Sequence, residues 1–299
     1  MVSQLLRDGL HCPLHQAQIA MPTELRQAAL AWLAEPDPSR KVAGVTDLHR
    51  AYQCGEVLLD GTVDLRTATP ASGLSIPGRP QQPELVSPLA VKRRNMRTVE
   101  GRAALIHALA HIEFNAINLA LDVIWRFPGM PDAFYADWLQ VAQEEALHFS
   151  LLQQHLVTLG YCYGDFTAHN SLWEMATRTE HDILARIALV PRTMEARGLD
   201  ASPPLRAKLA QAGDMAAAAI LDIILRDEIG HVAIGNRWFG WLCEQGNLEP
   251  LATYADLAAR YSAPTLRGPF NMEARRAAGF SDAELELLGD IPMRQPSFP

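Results

Sequence analysis

Two glutamate–histidine pairs have the spacing of metal ligands on helices. His148 follows Glu145 by three residues, and His231 follows Glu228 by three residues. Side chains three apart on an α-helix lie on one face, so the carboxylate and the imidazole of each pair can reach the same ion. The sequence therefore contains two candidate Glu-x-x-His metal-binding elements.

Each pair is preceded by a further glutamate at nearly the same distance. Glu113 lies 32 residues before Glu145, and Glu195 lies 33 residues before Glu228. A helical bundle that holds two metal ions takes one Glu from each of two helices and a Glu-x-x-His from each of the other two. The sequence thus predicts a two-metal site with six ligands: Glu113, Glu145, His148, Glu195, Glu228 and His231.

Electrostatics favours a metal over a purely structural role for these residues. Four buried carboxylates without a cation would repel one another, and some would have to take up protons. Two divalent ions would neutralise their four negative charges. Carboxylate oxygens combined with imidazole nitrogens suit iron best, with manganese as the alternative.

Several neighbouring residues compete for the same roles. Glu180 is the rival of Glu195 in the third helix, and the near-equal spacing favours Glu195. Glu144 and Asp227 precede the pairs by one position, so they point about 100° away. We expect them to be solvated or to support the ligands, although a shift of register would make them ligands.

A pair of histidines and a run of basic residues each have a functional and a structural interpretation. His107 and His111 lie four apart, but no Glu follows the first His as in a zinc protease, which favours a surface or core role. A basic run lies at the start of the first predicted long helix, and a solvated helix start is favoured there over an anion- or RNA-binding patch. It consists of Lys92, Arg93, Arg94, Arg97 and Arg102.

Four long helical patterns carry the six candidate ligands. Apolar residues recur at helical spacing in each, and the candidate ligands replace apolar residues within those seams. Pro191 in the third pattern predicts a kink or an early end, and Gly198, Pro203 and Pro204 are expected to close it. The predicted helices are Thr98–Phe127, Asp132–Leu159, Ser171–Arg197 and Gly213–Glu244.

The flanking regions are also predicted to be helical. A helix capped by Thr23 and ending at Leu33 and a second helix over 47–59 precede a proline-rich connector over 67–88. The tail predicts short helices over 250–262, 271–278 and 281–289. No strand-like alternation of useful length occurs, so the fold class is predicted as all-α.

The composition is that of an ordinary globular protein. Hydrophobic residues make up 48% and charged residues 20% of the chain. The net charge of −8 disfavours a nucleic-acid partner. The four cysteines form no Cys-x-x-Cys pair, and the longest apolar stretches, such as Met215–Leu225, are too short to span a membrane. We therefore expect a cytoplasmic protein without a membrane anchor.

Four stretches of the sequence resemble a known family. They are AHIEFNAINLALDVIWRF, DWLQVAQEEALHFSLL, VPRTMEARGLD and ILRDEIGHVAIGNRWF, supported by PGRPQQPELV and GPFNMEARRAAGF on either side. Together they resemble the ferritin-like family labelled domain of unknown function 455. A more distant similarity is to bacterial tRNA hydroxylases, in which a Glu-Ala-Arg segment like Glu195-Ala196-Arg197 supplies a ligand.

The resemblance implies a ferritin-like four-helix bundle with a dimetal carboxylate centre. On this basis residues 1–90 form a helical preamble and connector, 91–245 form the bundle, and 246–299 form a helical extension that packs on it. The expected function is oxidation or hydroxylation of a small-molecule substrate with dioxygen and an unidentified electron donor. A ferroxidase or iron-handling protein, a manganese enzyme that disproportionates peroxide, and a non-enzymatic binding protein are the alternatives, and an oligomer is compatible with all of them.

Overall fold

The computed structural model describes residues 24–65, 68–70, 73–92 and 94–291. Within these ranges the chain is helical, and β-structure is limited to two isolated bridges, which confirms the all-α prediction for the described residues. The helices are α1 (Leu25–Leu33), α2 (Pro38–Gln53), α3 (Val99–Arg126), α4 (Asp132–Thr158), α5 (Ser171–Arg178), α6 (Ile183–Leu189), α7 (Ala196–Gln211), α8 (Met215–Gln245), α9 (Pro250–Arg260), α10 (Met272–Ala277) and α11 (Asp282–Gly289).

Helices α3 and α4 form the central pair of the molecule. The Thr98 hydroxyl accepts a hydrogen bond from the Gly101 N–H at 3.0 Å and thereby caps α3. The two helices pack along each other, α1 packs against α3, and both α2 and α8 pack against α4. The bounds of α3, α4 and α8 confirm three of the four predicted long helices to within one or two residues.

The fourth predicted helix, Ser171–Arg197, is not continuous. Helices α5 and α6 are separated by residues 179–182, and α6 leads into a π-helical turn over Val190–Glu195 before α7 begins. Pro191 has no N–H to donate, so a regular α-helical bond is lost at this point. Pro191 packs closely on α8, because a Cβ placed on Gly235 would lie 3.0 Å from the Pro191 Cβ.

The expectation that Gly198, Pro203 and Pro204 close this segment is wrong, because α7 runs through all three and ends at Gln211. Pro203 cannot donate to the carbonyl of Leu199, four residues earlier. The Asn271 side chain donates to that carbonyl at 3.2 Å instead. A distant residue thus supplies the hydrogen bond that the proline removes, which a local sequence pattern cannot reveal.

The flanking helices agree with the prediction except at the N-terminal side. Thr23 lies outside the described residues, and α1 is capped by Glu24, whose carboxylate accepts from the N–H groups of Arg26 and Gln27. Helix α2 begins at Pro38, well before the predicted 47–59, because Asp37 caps it and proline is favoured in the first helical position. Helices α9, α10 and α11 confirm the three predicted tail helices.

Helix α3 is long and apolar enough to cross a membrane by length and composition, and its most apolar window has a mean hydropathy of 1.3. The prediction that every apolar stretch of the sequence is too short to span a membrane therefore overlooked α3. However, 72% of that window is buried by the rest of the protein. The apolar character of α3 is that of a helix at the centre of a folded core.

Candidate metal centre

Four predicted ligands from three helices converge at one buried point. Glu113 comes from α3, Glu145 and His148 come from α4, and Glu228 comes from α8. Each offers one donor atom, and these atoms all lie within 4.8 Å of one another. All four residues are buried, so this Glu/His cluster could hold a metal ion.

The two imidazoles direct their Nδ1 atoms toward the carboxylates of this cluster. The Nδ1 of His148 lies 3.4 Å from a Glu113 oxygen and 3.3 Å from a Glu145 oxygen. The Nδ1 of His231 lies 3.1 Å from the other Glu145 oxygen and 3.8 Å from a Glu228 oxygen. Glu145 therefore lies between the two histidines, whose ring centroids are 5.8 Å apart.

The opposite nitrogen of each imidazole contacts a carboxylate from the other helix. The Nε2 of His148 on α4 lies 3.1 Å from Asp227 on α8, and the Nε2 of His231 on α8 lies 2.8 Å from Glu144 on α4. A carboxylate at this position holds a metal-binding histidine in one tautomer and orientation. Glu144 and Asp227 thus support the histidines, as one of the sequence expectations stated.

Glu195 and its rival Glu180 lie in different surroundings. Glu195 ends the π-helical turn, and its Oε2 atom is buried without a hydrogen-bond partner. Its pKa is raised well above the usual range by burial and by the negative charges of Glu228 and Glu145. Glu180 instead is partly exposed and lies 3.6 Å from Arg126 at the end of α3. The comparison favours Glu195, and its role as a ligand stays a prediction.

A family profile described as "Protein of unknown function (DUF455)" matches residues 34–286. The chain belongs to the DUF455 family. It is 45% identical over 286 residues to an uncharacterised protein of Haemophilus influenzae, an alignment that covers 93% of this chain and 98% of that protein. No solved structure is significantly similar to the chain.

The carboxylates of this DUF455 protein do not share one protonation state. Burial raises the pKa of Glu113 well above its usual range, and the charge of Glu145 adds to that effect. Burial and the same charge also raise the pKa of Glu228. Burial would raise the pKa of Glu145 too, but hydrogen bonds from His148 and His231 outweigh it and hold the pKa of Glu145 well below its usual range.

The neighbouring carboxylates raise the pKa values of the two histidines. Burial would lower the pKa of His148, but the hydrogen bonds to Glu113 and Glu145 raise it to about 11. The pKa of His231 is raised well above its usual range because Glu144, Glu145 and Glu228 outweigh its burial. Without a cation the cluster therefore holds protons that a metal would displace.

The cluster also contains polar atoms that the protein itself does not satisfy. Among the described residues, five buried atoms in or beside this cluster lack a well-aligned hydrogen bond, although His231 Nδ1 and Glu145 Oε1 lie 3.1 Å apart: Glu113 Oε2, Glu145 Oε1, Glu195 Oε2, Glu228 Oε2 and His231 Nδ1. Buried polar atoms in folded proteins are nearly always paired with protein, water or an ion. Four carboxylate oxygens and one imidazole nitrogen are also a donor set that fits iron or manganese. The residues present therefore fit a bound metal.

The histidine pair on α3 is part of the core in this DUF455 protein. His107 accepts a hydrogen bond from the Gly164 N–H at 2.9 Å, and His111 Nδ1 lies 2.8 Å from the Tyr163 hydroxyl. Both are buried, and burial lowers the pKa of each to about 4. The two histidines therefore hold the loop after α4 against α3 as neutral rings.

The basic run is partly neutralised by acidic neighbours. Arg94 lies 2.8 Å from Glu100, and Arg102 lies 3.6 Å from Asp214, whereas Arg93 falls outside the described residues. Lys92 and Arg97 are exposed, as a solvated helix start predicts, whereas Arg102 is largely buried beside Asp214, which differs from that prediction.

Proposed function

We propose that this chain is a non-haem dimetal carboxylate protein that uses dioxygen to oxidise or hydroxylate a small molecule. The observation that carries the proposal is the convergence of Glu113, Glu145, His148 and Glu228 from α3, α4 and α8 within 4.8 Å, with buried carboxylate oxygens that lack a well-aligned hydrogen bond. A site that serves only stability would leave no such atoms unpaired. The proposed ligands are Glu113, Glu145, His148, Glu195, Glu228 and His231.

The proposed architecture is a ferritin-like four-helix arrangement. Helices α3, α4 and α8 supply three of its members, and α6 with the π-helical turn and α7 supplies the fourth. Residues 91–245 would form this unit, with residues 1–90 and 246–299 as extensions. The support is the order of ligands along the chain, which is that of dimetal carboxylate bundles.

The residues of the site have separate roles in this proposal. The four glutamates would provide the negative charge that holds two divalent cations, and each histidine would bind one cation through Nδ1. Glu144 and Asp227 accept the Nε2 proton of the two histidines and so keep Nδ1 free for a metal. Iron, the preferred metal, would supply the redox chemistry with dioxygen when bound, and manganese is the alternative.

The site is buried, which would exclude bulk water from it. The side chains of Glu145, His148 and His231 are essentially inaccessible to solvent. Exclusion of water strengthens every electrostatic contact in a site and protects reactive species from side reactions. The partners of the proposed enzyme are dioxygen, an electron donor and a small-molecule substrate, without a membrane or nucleic-acid partner.

A cytoplasmic location is part of the proposal. Cys54 and Cys162 are exposed free thiols, and Cys243 is a buried one. Disulfides form in oxidising compartments, so exposed thiols that are free of disulfides are compatible with a reducing one.

The test is elemental analysis of protein purified without added metal, followed by oxygen uptake by the reduced protein. The proposal expects about two ions of iron or manganese per chain and oxygen consumption that depends on them. Many irons per chain in a large cage would favour iron storage instead. Vigorous peroxide disproportionation by the manganese form would favour a manganese enzyme. Absence of bound metal even after loading would contradict the proposal and leave a binding or scaffold role.

A further inference from the structure

The C-terminal helices line a partly open cavity whose walls include none of the candidate metal ligands. It has a volume of 260 Å³ and lies between α9, α11 and the π-helical turn. Its walls are almost entirely apolar and include Leu251, Tyr254, Phe280, Leu287 and Leu288. Small-molecule sites in proteins are typically concave, apolar and supplied with very few polar groups.

Arg192 is one of two buried arginines that line this cavity. It comes from the π-helical turn, three residues before Glu195, and only 5% of its side chain is exposed. Its guanidinium lies over the rings of Phe239, Tyr254 and Phe280, with the nearest centroid 4.6 Å away. Its Nε is buried without a hydrogen-bond partner. Sequence reasoning did not single out Arg192, although a charged residue in the apolar stretch around Pro191 was a visible signal.

The charge of Arg192 is already balanced by the protein. Its guanidinium forms an ion pair with Glu284. The other oxygen of Glu284 accepts from the N–H and the hydroxyl of Ser281, both at 2.8 Å, and so caps α11. An anionic ligand at Arg192 would meet the negative charge of Glu284 and would have to compete with it for the guanidinium.

The second arginine of the cavity is also neutralised. Arg275 donates to Asp200 through two nitrogens, at 3.0 and 2.6 Å, and only 1% of its side chain is exposed. Its guanidinium also lies over the rings of Phe270 and Phe280. Neither arginine therefore offers an uncompensated positive charge to a carboxylate or phosphate.

We infer that this cavity binds a neutral, predominantly apolar small molecule, such as an aliphatic alcohol, rather than a fatty acid or another anion. Burial of a hydrocarbon chain against the apolar walls is favourable. A ligand carboxylate would lose its hydration without gaining a free cation, because both arginines are already paired with carboxylates of the protein. The inference does not rest on the proposed metal chemistry, because every residue that carries it lies outside the ligand set.

Isothermal titration calorimetry of the full chain with 1-octanol, 1-hexanol and octanoate tests the inference. We expect one saturable 1-octanol site per chain, about tenfold weaker binding of 1-hexanol because two methylenes are lost, and octanoate weaker than 1-octanol by about tenfold or more. The titration is repeated on metal-free and metal-loaded protein, and the same site is expected in both. A failed metal proposal would thus leave this result unchanged.

Two matched variants on α9 locate the site. Ala255 lines the cavity and is exposed at its rim, whereas Ala259 is exposed one turn further on and does not line it. Ala255→Trp should fill the opening and weaken 1-octanol binding about tenfold or more, and Ala259→Trp should change it by less than about twofold. Absence of saturable binding, octanoate binding as tight as 1-octanol, or equal effects of the two variants would each overturn the inference.

Discussion

The candidate metal centre and the contacts around Arg26 are both buried and charged, but they differ in how fully the protein hydrogen-bonds the charged groups. Arg26 is fully buried and donates to backbone carbonyls that include those of Ile124 at 3.1 Å and Trp125 at 2.8 Å. Lys41 is fully buried too and donates to the carbonyls of Leu33 and Gly78 and to Asn118. In the candidate metal centre, by contrast, one oxygen each of Glu113, Glu145 and Glu228 is buried without a well-aligned hydrogen-bond donor.

This difference distinguishes a buried charge that stabilises the fold from a buried charge that is available to bind a ligand. Burying a charged group is costly unless hydrogen bonds replace its lost hydration. Arg26 and Lys41 meet this requirement with groups of the protein itself, so they tie α1 and α2 to α3 and the connector. The glutamates of the candidate metal centre meet it only in part, which fits a site that could hold a cation.

The largest expected effect is on metal content. Glu145→Ala removes the carboxylate between the two histidines, and His231→Ala removes an imidazole, so each should lose most of the bound metal while far-UV circular dichroism stays helical. Elemental analysis measures the loss. Glu180→Ala is the matched control, because it deletes a carboxylate that pairs with Arg126 instead. Wild-type metal content in both site variants would show that the ligands are misassigned.

The next effect concerns stability without any change in metal content. Arg26→Met should lower the free energy of unfolding by about 3 kcal/mol, because the buried carbonyls of Ile124 and Trp125 near the end of α3 lose their donor. Urea unfolding of the metal-free protein gives the value. If Arg26→Met instead lost metal with little change in stability, the distinction between the two regions would fail.

A smaller effect is expected from the carboxylates that support the histidines. Asp227→Asn and Glu144→Gln keep the side-chain shape but weaken the acceptor at Nε2 of His148 and His231, so metal affinity should fall about 10–100-fold. Competition with a chelator of known affinity measures it. The surface pair Arg206–Asp222 provides a control, and Asp222→Asn should leave the affinity unchanged. Wild-type affinity in both supporting variants would argue that the histidines do not bind the metal.

The smallest effect is a pH dependence that arises from Lys41. Burial lowers the pKa of Lys41 to about 7, whereas the unfolded chain has the ordinary value of 10.5. Between these values the unfolded state binds more protons, so stability should rise with pH by up to about 1.4 kcal/mol per pH unit. Urea unfolding at pH 7, 8 and 9 tests this, with Lys41→Met expected to have a flatter profile. Parallel profiles for the two proteins would refute it.

The local sequence predicted the helices wherever local interactions form them. Thr98 caps α3, and the periodic apolar seams of α3, α4 and α8 gave their bounds closely. The local sequence did not predict α7, because Pro203 is expected to end a helix. The side chain of Asn271 donates to the carbonyl that Pro203 leaves without a donor. The sequence prediction also missed the early start of α2, although the Asp37–Pro38 cap was a local signal that could have been used.

The candidate metal site was also predictable in part, because local helix geometry places some of its residues. The spacing of Glu145 and His148, and of Glu228 and His231, places each pair on one helix face whatever the rest of the chain does. The choice of Glu195 over Glu180 was weaker, because both precede Glu228 within the same interrupted segment. Apart from Arg192, which stands in an apolar stretch, the buried arginines could not be found from periodicity, since a core arginine and a surface arginine look alike in a local pattern.

By itself, the sequence determined the all-helical class of the described residues and the residue types able to hold a metal, because helical periodicity and ligand spacing are local properties. Only the tertiary structure decided which buried atoms lack partners and that Glu144 and Asp227 reach the histidines of the opposite helix. The tertiary structure alone also revealed the cavity beneath the C-terminal helices. Those features arise where segments far apart in the chain meet, and hydrogen-bond satisfaction can be judged only after they have met.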